Sequence, residues 1–175
     1  SPAEAHPLSF AYFLKGKRER GTIFITFDPR YSRTAAASDL WVPFRPGTDT
    51  AILLYILHYA FFERNPPIDQ LEEFQRLRSR WNITDDDLAD LKELLKEYDA
   101  DTVSNISGVP KDLLRTVASI YVENSGVVTN HEKHGIIQWA MGFTQHTNAT
   151  INIIRAAAIV QLLLGNVGYP GGGTH

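Results

Sequence analysis

Hydrophobic and polar positions alternate between several regimes along the chain. In "HPLSFAYFLKGKRER", from His6 to about Lys17, the residues Leu8, Ala11, Tyr12 and Leu14 recur at helical spacing and the last turn is basic, so a helix is expected, stopped by Gly21. "TIFITFDPR" follows, β-branched, aromatic and apolar on both faces, which predicts a buried strand. "WVPFRPGTD" is a second, brief extended piece, and Thr48 or Asp49 then caps a strongly apolar helix, "TAILLYILHYAFFE".

Between Asn65 and about Gly126 the pattern turns charged and amphipathic. "NPPID" breaks the preceding helix, and in "TDDDLADLKELLKEY" Leu88, Leu91, Leu94, Leu95 and Tyr98 form one stripe. Asp85, Asp86 and Asp87 at its start suit the positive end of a helix better than a metal. "SGVPKDLLRTVASIYVEN" predicts another amphipathic helix with Pro110 in its first turn. "GVVTN" and "IIQWAMG" read as further extended segments. "NATINIIRAAAIVQLLLGN" is a helix apolar on nearly all sides, ended by Gly165, of the kind found inside a larger protein. The closing "VGYPGGGTH" is a Gly-rich loop.

Strands separated by helices indicate an α/β fold with a parallel sheet flanked by helices and a helical insert around 65–126. Two or three strands are few for such a sheet, so the domain is expected to be incomplete, with a strand before Ser1. Composition narrows the functional classes. A formal net charge of −3 argues against a nucleic-acid surface. With no cysteine, disulfides, thiolate zinc sites and iron–sulfur ligation are excluded within these residues. No apolar run approaches the ~18 residues that span a bilayer, and "SPAEAHP" lacks the features of a signal peptide.

In a parallel α/β sheet, ligands bind beyond the carboxyl ends of the strands. Asp28, Pro29, Arg30, Tyr31 and Ser32 fall there: Asp28 either begins a turn or accepts from ribose hydroxyls, and Arg30 can face a phosphate. Asp49 either caps its helix or pairs with guanine, accepting from N1–H and the exocyclic amine together, with Gly47 permitting close approach. In "IIQWAMGFTQHTNAT", Gln145 can read a heterocycle edge and Met141 can pack on a ring, while His146 suits a structural role. "HEKH", His131 to His134, is not a zinc-protease pattern, and such histidines in a polar loop usually sit in solvent. Arg155 needs a partner or water. A P-loop, GxGxxG and a nucleophile–histidine arrangement are all absent from the sequence.

Three stretches in order, "SPAEAHP", "FITFDPRYSRTAAASDLWVPFRPGTDTA" and "WAMGFTQHTNATINIIRAAAIVQLLLGNVGYPGGG", together resemble the catalytic subunit of molybdenum- or tungsten-dependent formate dehydrogenases. The likeness covers essentially the whole chain and is weakest over 65–126. It implies part of a Rossmann-like domain that binds bis-molybdopterin guanine dinucleotide. Cofactor-binding positions are then Ser1, Pro2, Ala3, Glu4 and Ala5; Asp28, Pro29, Arg30, Tyr31 and Ser32; Gly47, Thr48 and Asp49; and Met141 with Gln145. The resemblance turns Asp28 and Asp49 from turn and cap residues into expected ligand contacts. It also implies that the Mo or W ligand, the 4Fe–4S ligands and the formate-positioning arginine lie elsewhere in a longer polypeptide. The chain alone is therefore expected to hold no catalytic residue and no metal ligand, and to be inactive.

The implied reaction is formate oxidation to carbon dioxide, with electrons passed to an iron–sulfur partner subunit. The periplasm is slightly favoured over the cytoplasm. "DPRYSRTA" and "QLLLGNVGYPGGGTH" point towards formate dehydrogenases, whereas "MGFTQHT" is shared with nitrate reductases, the alternative reading. A non-enzymatic guanine-nucleotide-binding domain is the third.

Overall fold

The computed structural model describes residues 1–145 and 150–174. The chain forms two compact units, Ser1–Arg45 and Pro46–His175.

In the first unit, Ser1 precedes a single turn, α1 (Pro2–Ala5), and α2 (Pro7–Arg20) follows; both begin at a proline whose fixed φ suits a first helical position. Gly21, at φ 65°, ends α2 in the left-handed conformation that glycine adopts without strain. Phe10 and Phe13 of α2 pack on Phe24, at ring-centre distances of 6.3 and 5.7 Å, and so anchor the helix beside β1 (Ile25–Phe27). α3 (Arg33–Ala37) crosses over to β2 (Leu40–Val42), which runs parallel to β1 with Ile25 opposite Leu40 and Phe27 opposite Val42. The expectation that the "TIFITFDPR" strand is buried is corrected here. β1 is three residues long, only Thr26 is buried, and Phe27 is 38% exposed. Among the described residues β1 pairs with β2 alone, too little sheet to cover both faces.

In the second unit, α4 (Asp49–His58) runs into a wide π-helical turn, Tyr59–Glu63. The charged insert supplies α5 (Glu72–Arg80), α6 (Asp85–Lys96), α7 (Ala100–Ser107) and α8 (Lys111–Glu123). The turn α9 (Gly126–Thr129) leads to β3 (Ile136–Ile137), α10 (Met141–Thr144), α11 (Thr150–Leu163) and β4 (Gly173–Thr174), which is parallel to β3. Ala51 to Leu57 are all buried because α6, α7, α8 and α11 pack around α4, which is why its sequence carries no polar face. The acidic triple lies in the first turn of α6, where Thr84 and Asp87 form a capping box.

Three further expectations change. "GVVTN" is helical as α9: buried Gly126 lies so close to Gly165 that a Cβ there would stand 2.3 Å from the Gly165 carbonyl oxygen. "IIQWAMG" is extended only at its start, and Ile136 is 47% exposed, so no buried strand precedes Met141, which opens a helical turn instead. Pro110 is the residue before α8, not within its first turn. In α11, Ile153, Ala157 and Val160 are buried, while Ile151, Ile154 and Ile159 are exposed and Arg155 reaches solvent.

Candidate functional site

In the first unit the residues beyond the carboxyl end of β1 meet the start of the chain. Asp28 Oδ1 accepts the Arg30 N–H at 2.9 Å, a local turn that curls the loop back over the strand end. The Asp28 carbonyl is fixed from behind by the Trp41 indole N–H, at 2.8 Å, and Tyr31 packs edge-on against the Trp41 ring, 4.9 Å between centres. Thus Asp28 is both a turn former, as its composition suggests, and a residue placed where the strand ends. Ser32 caps α3 by accepting from the Ala35 N–H at 3.3 Å.

Ser1 to Ala5 reach the same place through Thr34, whose hydroxyl lies 2.7 Å from Ser1 Oγ and accepts the Ala3 N–H at 3.0 Å. Arg30 then donates to Glu4 Oε2 at 2.7 Å. That hydrogen bond, more than the charge itself, holds the Glu4 carboxyl below the usual carboxylate range and raises the Arg30 guanidinium. Two segments separate in sequence, 1–5 and 28–32, are therefore joined, with an exposed carboxylate and guanidinium side by side. Thr34, which does the joining, and Trp41, which fixes the Asp28 loop, were not anticipated. The only signal for Thr34 was a hydroxyl inside "RTAAA", between the two extended segments.

In the second unit Gly47 and Thr48 line an open groove of about 260 Å³ with Thr50, Ala51, Tyr98, Ile106 and Asn152. Gly47 has φ 86°, a conformation strained for any residue with a Cβ, so the tight turn into α4 depends on glycine. Thr48 is the residue before the helix and Asp49 the first within it. The groove thus combines hydroxyls and an amide with the apolar edges of Tyr98 and Ile106. Its volume lies just under the ~300–1,000 Å³ usual for small-molecule sites, enough for one heterocycle. Tyr98 and Ile106 come from the helical insert, where the sequence offered no site signal, and Asn152 looked like an ordinary polar residue of α11.

Met141 is 65% exposed at the start of α10 and Gln145 is exposed just after it, on the chain that leads into α11. His146 lies outside the described residues. The "HEKH" histidines are not solvent-borne as expected: His131 Nδ1 stands 3.2 Å from His134 Nε2, and His131 Nε2 is 2.9 Å from the Glu73 carboxylate. Tyr169 stacks over both rings at 4.0 and 4.7 Å. Burial, then the neighbouring His131, lowers the His134 pKa, so His134 is held neutral more readily than a free imidazole. The arrangement ties α5 and the loop after α9 to the Gly-rich tail.

Comparison with known proteins adds a second line. The family model for molybdopterin oxidoreductases matches residues 1–175. The chain is 32% identical to the formate dehydrogenase-O major subunit of Escherichia coli, over 99% of this chain and 21% of that protein. It is also 32% identical to the formate dehydrogenase subunit alpha of Megalodesulfovibrio gigas, over 100% of this chain and 21% of that one. The acetylene hydratase of Pelobacter acetylenicus has a similar fold, with a TM-score of 0.66 at 24% identity, over 94% of this chain and 20% of that chain. The chain therefore spans about a fifth of the length of the curated relatives it matches.

Proposed function

Because the chain belongs to the molybdopterin oxidoreductase family, we propose that it forms part of the wall of a bis-molybdopterin guanine dinucleotide site in a formate dehydrogenase. The observation that carries this reading is the family match over the entire chain, together with relatives named as formate dehydrogenases. The residue chemistry fits a dinucleotide. At the end of β1, Arg30 spends one N–H on Glu4 and keeps further donors for a phosphate, while Glu4 and Asp28 offer carboxylate oxygens to ribose hydroxyls. At the start of α4, Asp49 lies between two threonines that line the groove, and carboxylate chemistry matches the N1–H and exocyclic amine of guanine. Gly47 lets the backbone approach, and Tyr98 and Ile106 supply an apolar wall.

When bound, the cofactor would supply a Mo or W centre able to accept the two electrons that formate gives up, along with one proton, on becoming carbon dioxide. The residues of this chain bind and orient it and set its electrostatic surroundings. Exposed Met141 offers a polarisable contact to a ring, and Gln145 a donor and an acceptor to a heterocycle edge. The metal ligand, the 4Fe–4S ligands and the contacts to an electron-transfer subunit belong, in this reading, to the remainder of the polypeptide.

The test uses the native polypeptide that carries this chain. Formate-dependent reduction of a viologen dye, in protein containing Mo or W, is the expected result. Dye oxidation by nitrate without formate activity would move the chain to a sister enzyme. Guanine-nucleotide binding without metal would replace the enzyme reading altogether.

A further inference from the structure

Beneath the exposed loops, three side chains form a closed polar cluster. Gln161 of α11 and Asn166 just beyond it have no solvent exposure. Gln161 Oε1 accepts from the Tyr121 hydroxyl at 2.7 Å and from Asn166 Nδ2 at 2.9 Å. Gln161 Nε2 donates to the Gly135 carbonyl at 2.8 Å and to the Gly173 carbonyl. Asn166 Oδ1 accepts the N–H groups of Gly126 and Gly135, at 3.1 and 3.2 Å. Gln161 thereby fills two donor and two acceptor positions. Backbone groups dictate which way each amide faces, so the cluster has one consistent arrangement.

What these amides hold is specific. Gly135 immediately precedes β3 and is gripped at both its N–H and its carbonyl. Gly173 opens β4. The close approach leaves no room for side chains: a Cβ on Gly135 would stand 2.8 Å from the Tyr121 ring, and one on Gly172 would stand 1.9 Å from the Asn166 carbonyl oxygen. Burial raises the Tyr121 pKa, which keeps its hydroxyl a neutral donor. Apolar side chains of similar volume could fill this space, but they would not fix the register of two strands only two residues long.

We infer that Gln161, Asn166 and Tyr121 are positioning residues for the cofactor: by clamping both strands of the parallel β3–β4 pair where they begin, at Gly135 and Gly173, they set the segment after β3 that presents Met141 and Gln145. The inference rests on the cofactor reading above. Helix α11 acts at both ends, since its first turn follows that segment and its last turn carries Gln161.

The test uses the full-length holoprotein and the variants Gln161→Met, Asn166→Asp and Tyr121→Phe. The readouts are the half-time for loss of Mo or W and of pterin during dialysis, and hydrogen exchange over residues 135–145. All are measured at a temperature where circular dichroism shows each variant folded. Gln161→Met and Asn166→Asp are expected to release metal and pterin about tenfold faster, the factor that corresponds to one hydrogen bond's worth of positioning. Exchange over 135–145 should rise with it. Tyr121→Phe keeps the ring against Gly135, removes one hydroxyl, and should show about a threefold effect; it decides the matter if the others do not fold. Lower melting temperatures with unchanged release and unchanged local exchange would reduce the cluster to a stability element and overturn the inference. A wild-type protein holding neither metal nor pterin would overturn the cofactor reading and this inference with it.

Discussion

Thr34 shows how much of a site can hang on a side chain with no chemistry of its own. Its buried hydroxyl meets the Ser1 hydroxyl and the Ala3 N–H, and so brings the chain start to the end of β1. Thr34→Val preserves shape but leaves the Ala3 N–H without its acceptor. It should cost about 1–3 kcal/mol, read as a lower denaturant midpoint and faster exchange at Ala3. Unchanged exchange at Ala3 would mean that α1 is held by other contacts. The neighbouring ion pair predicts a pH dependence. The hydrogen bond from Arg30 depresses the Glu4 pKa, so its contribution is present above the unfolded-state value and disappears as pH falls through the lower folded value. Carbon-detected NMR titration should find Glu4 below the usual carboxylate range in the wild type and returned to it in Arg30→Gln. Equal titration in both would show that the pair does not persist in solution. Asp28, Arg30 and Asp49 could be picked from the sequence because strand ends and helix starts are where ligand-facing polar groups gather. Thr34, Trp41 and Asn152 could not, because each acts through a partner distant in sequence.

At the scale of elements, legibility followed the strength of local signals. Helices α2, α4, α6 and α8 stand where spacing and Gly or Pro punctuation placed them, α7 is additional, and the acidic start of α6 carries a capping box. Its weight can be measured. Thr84 accepts the Asp87 N–H at 3.1 Å, and the Asp87 carboxylate accepts the Thr84 N–H at 2.9 Å. Thr84→Ala should destabilise the second unit by about 1 kcal/mol. Two contacts with Thr84, its hydroxyl first and its N–H second, lower the Asp87 pKa, so this support is complete above the unfolded-state value and fails only in stronger acid. In Thr84→Ala the Asp87 titration should move up towards the ordinary carboxylate range; no movement would show that the box is not closed in solution. The strands were the weak point. β-branched runs such as "TIFITF" and "GVVT" announce extended structure, yet only three residues of the first pair, and the second is a helical turn pressed against Gly165. Close backbone packing between distant glycines overrides local propensity there, and one sequence read alone does not reveal it.

For the whole molecule, the decisive contrast lies between what α4 does for the fold and what the cofactor reading asks of its first residue. Its stability comes from the seven buried residues Ala51 to Leu57, enclosed by α6, α7, α8 and α11. Asp49 stands in the first turn of α4, where a carboxylate favours the helix by about 0.3–1 kcal/mol. The groove beside it is what the cofactor reading needs. Asp49→Ala, made in the full-length native polypeptide, should therefore lower the melting temperature by no more than a few degrees, yet reduce Mo or W content after purification by about tenfold or more, the loss expected when one charge-assisted pair to guanine disappears. Asp49→Asn retains an acceptor but presents an amide where guanine also donates, so its metal content should fall between the two. Mass-spectrometric metal content and a thermal melt on the same preparations separate the roles. Full metal occupancy in Asp49→Ala would remove the guanine-reading role from Asp49. A large drop in melting temperature with proportionate metal loss would place it in the fold. Only metal loss from a protein that melts almost like the wild type assigns it to the ligand.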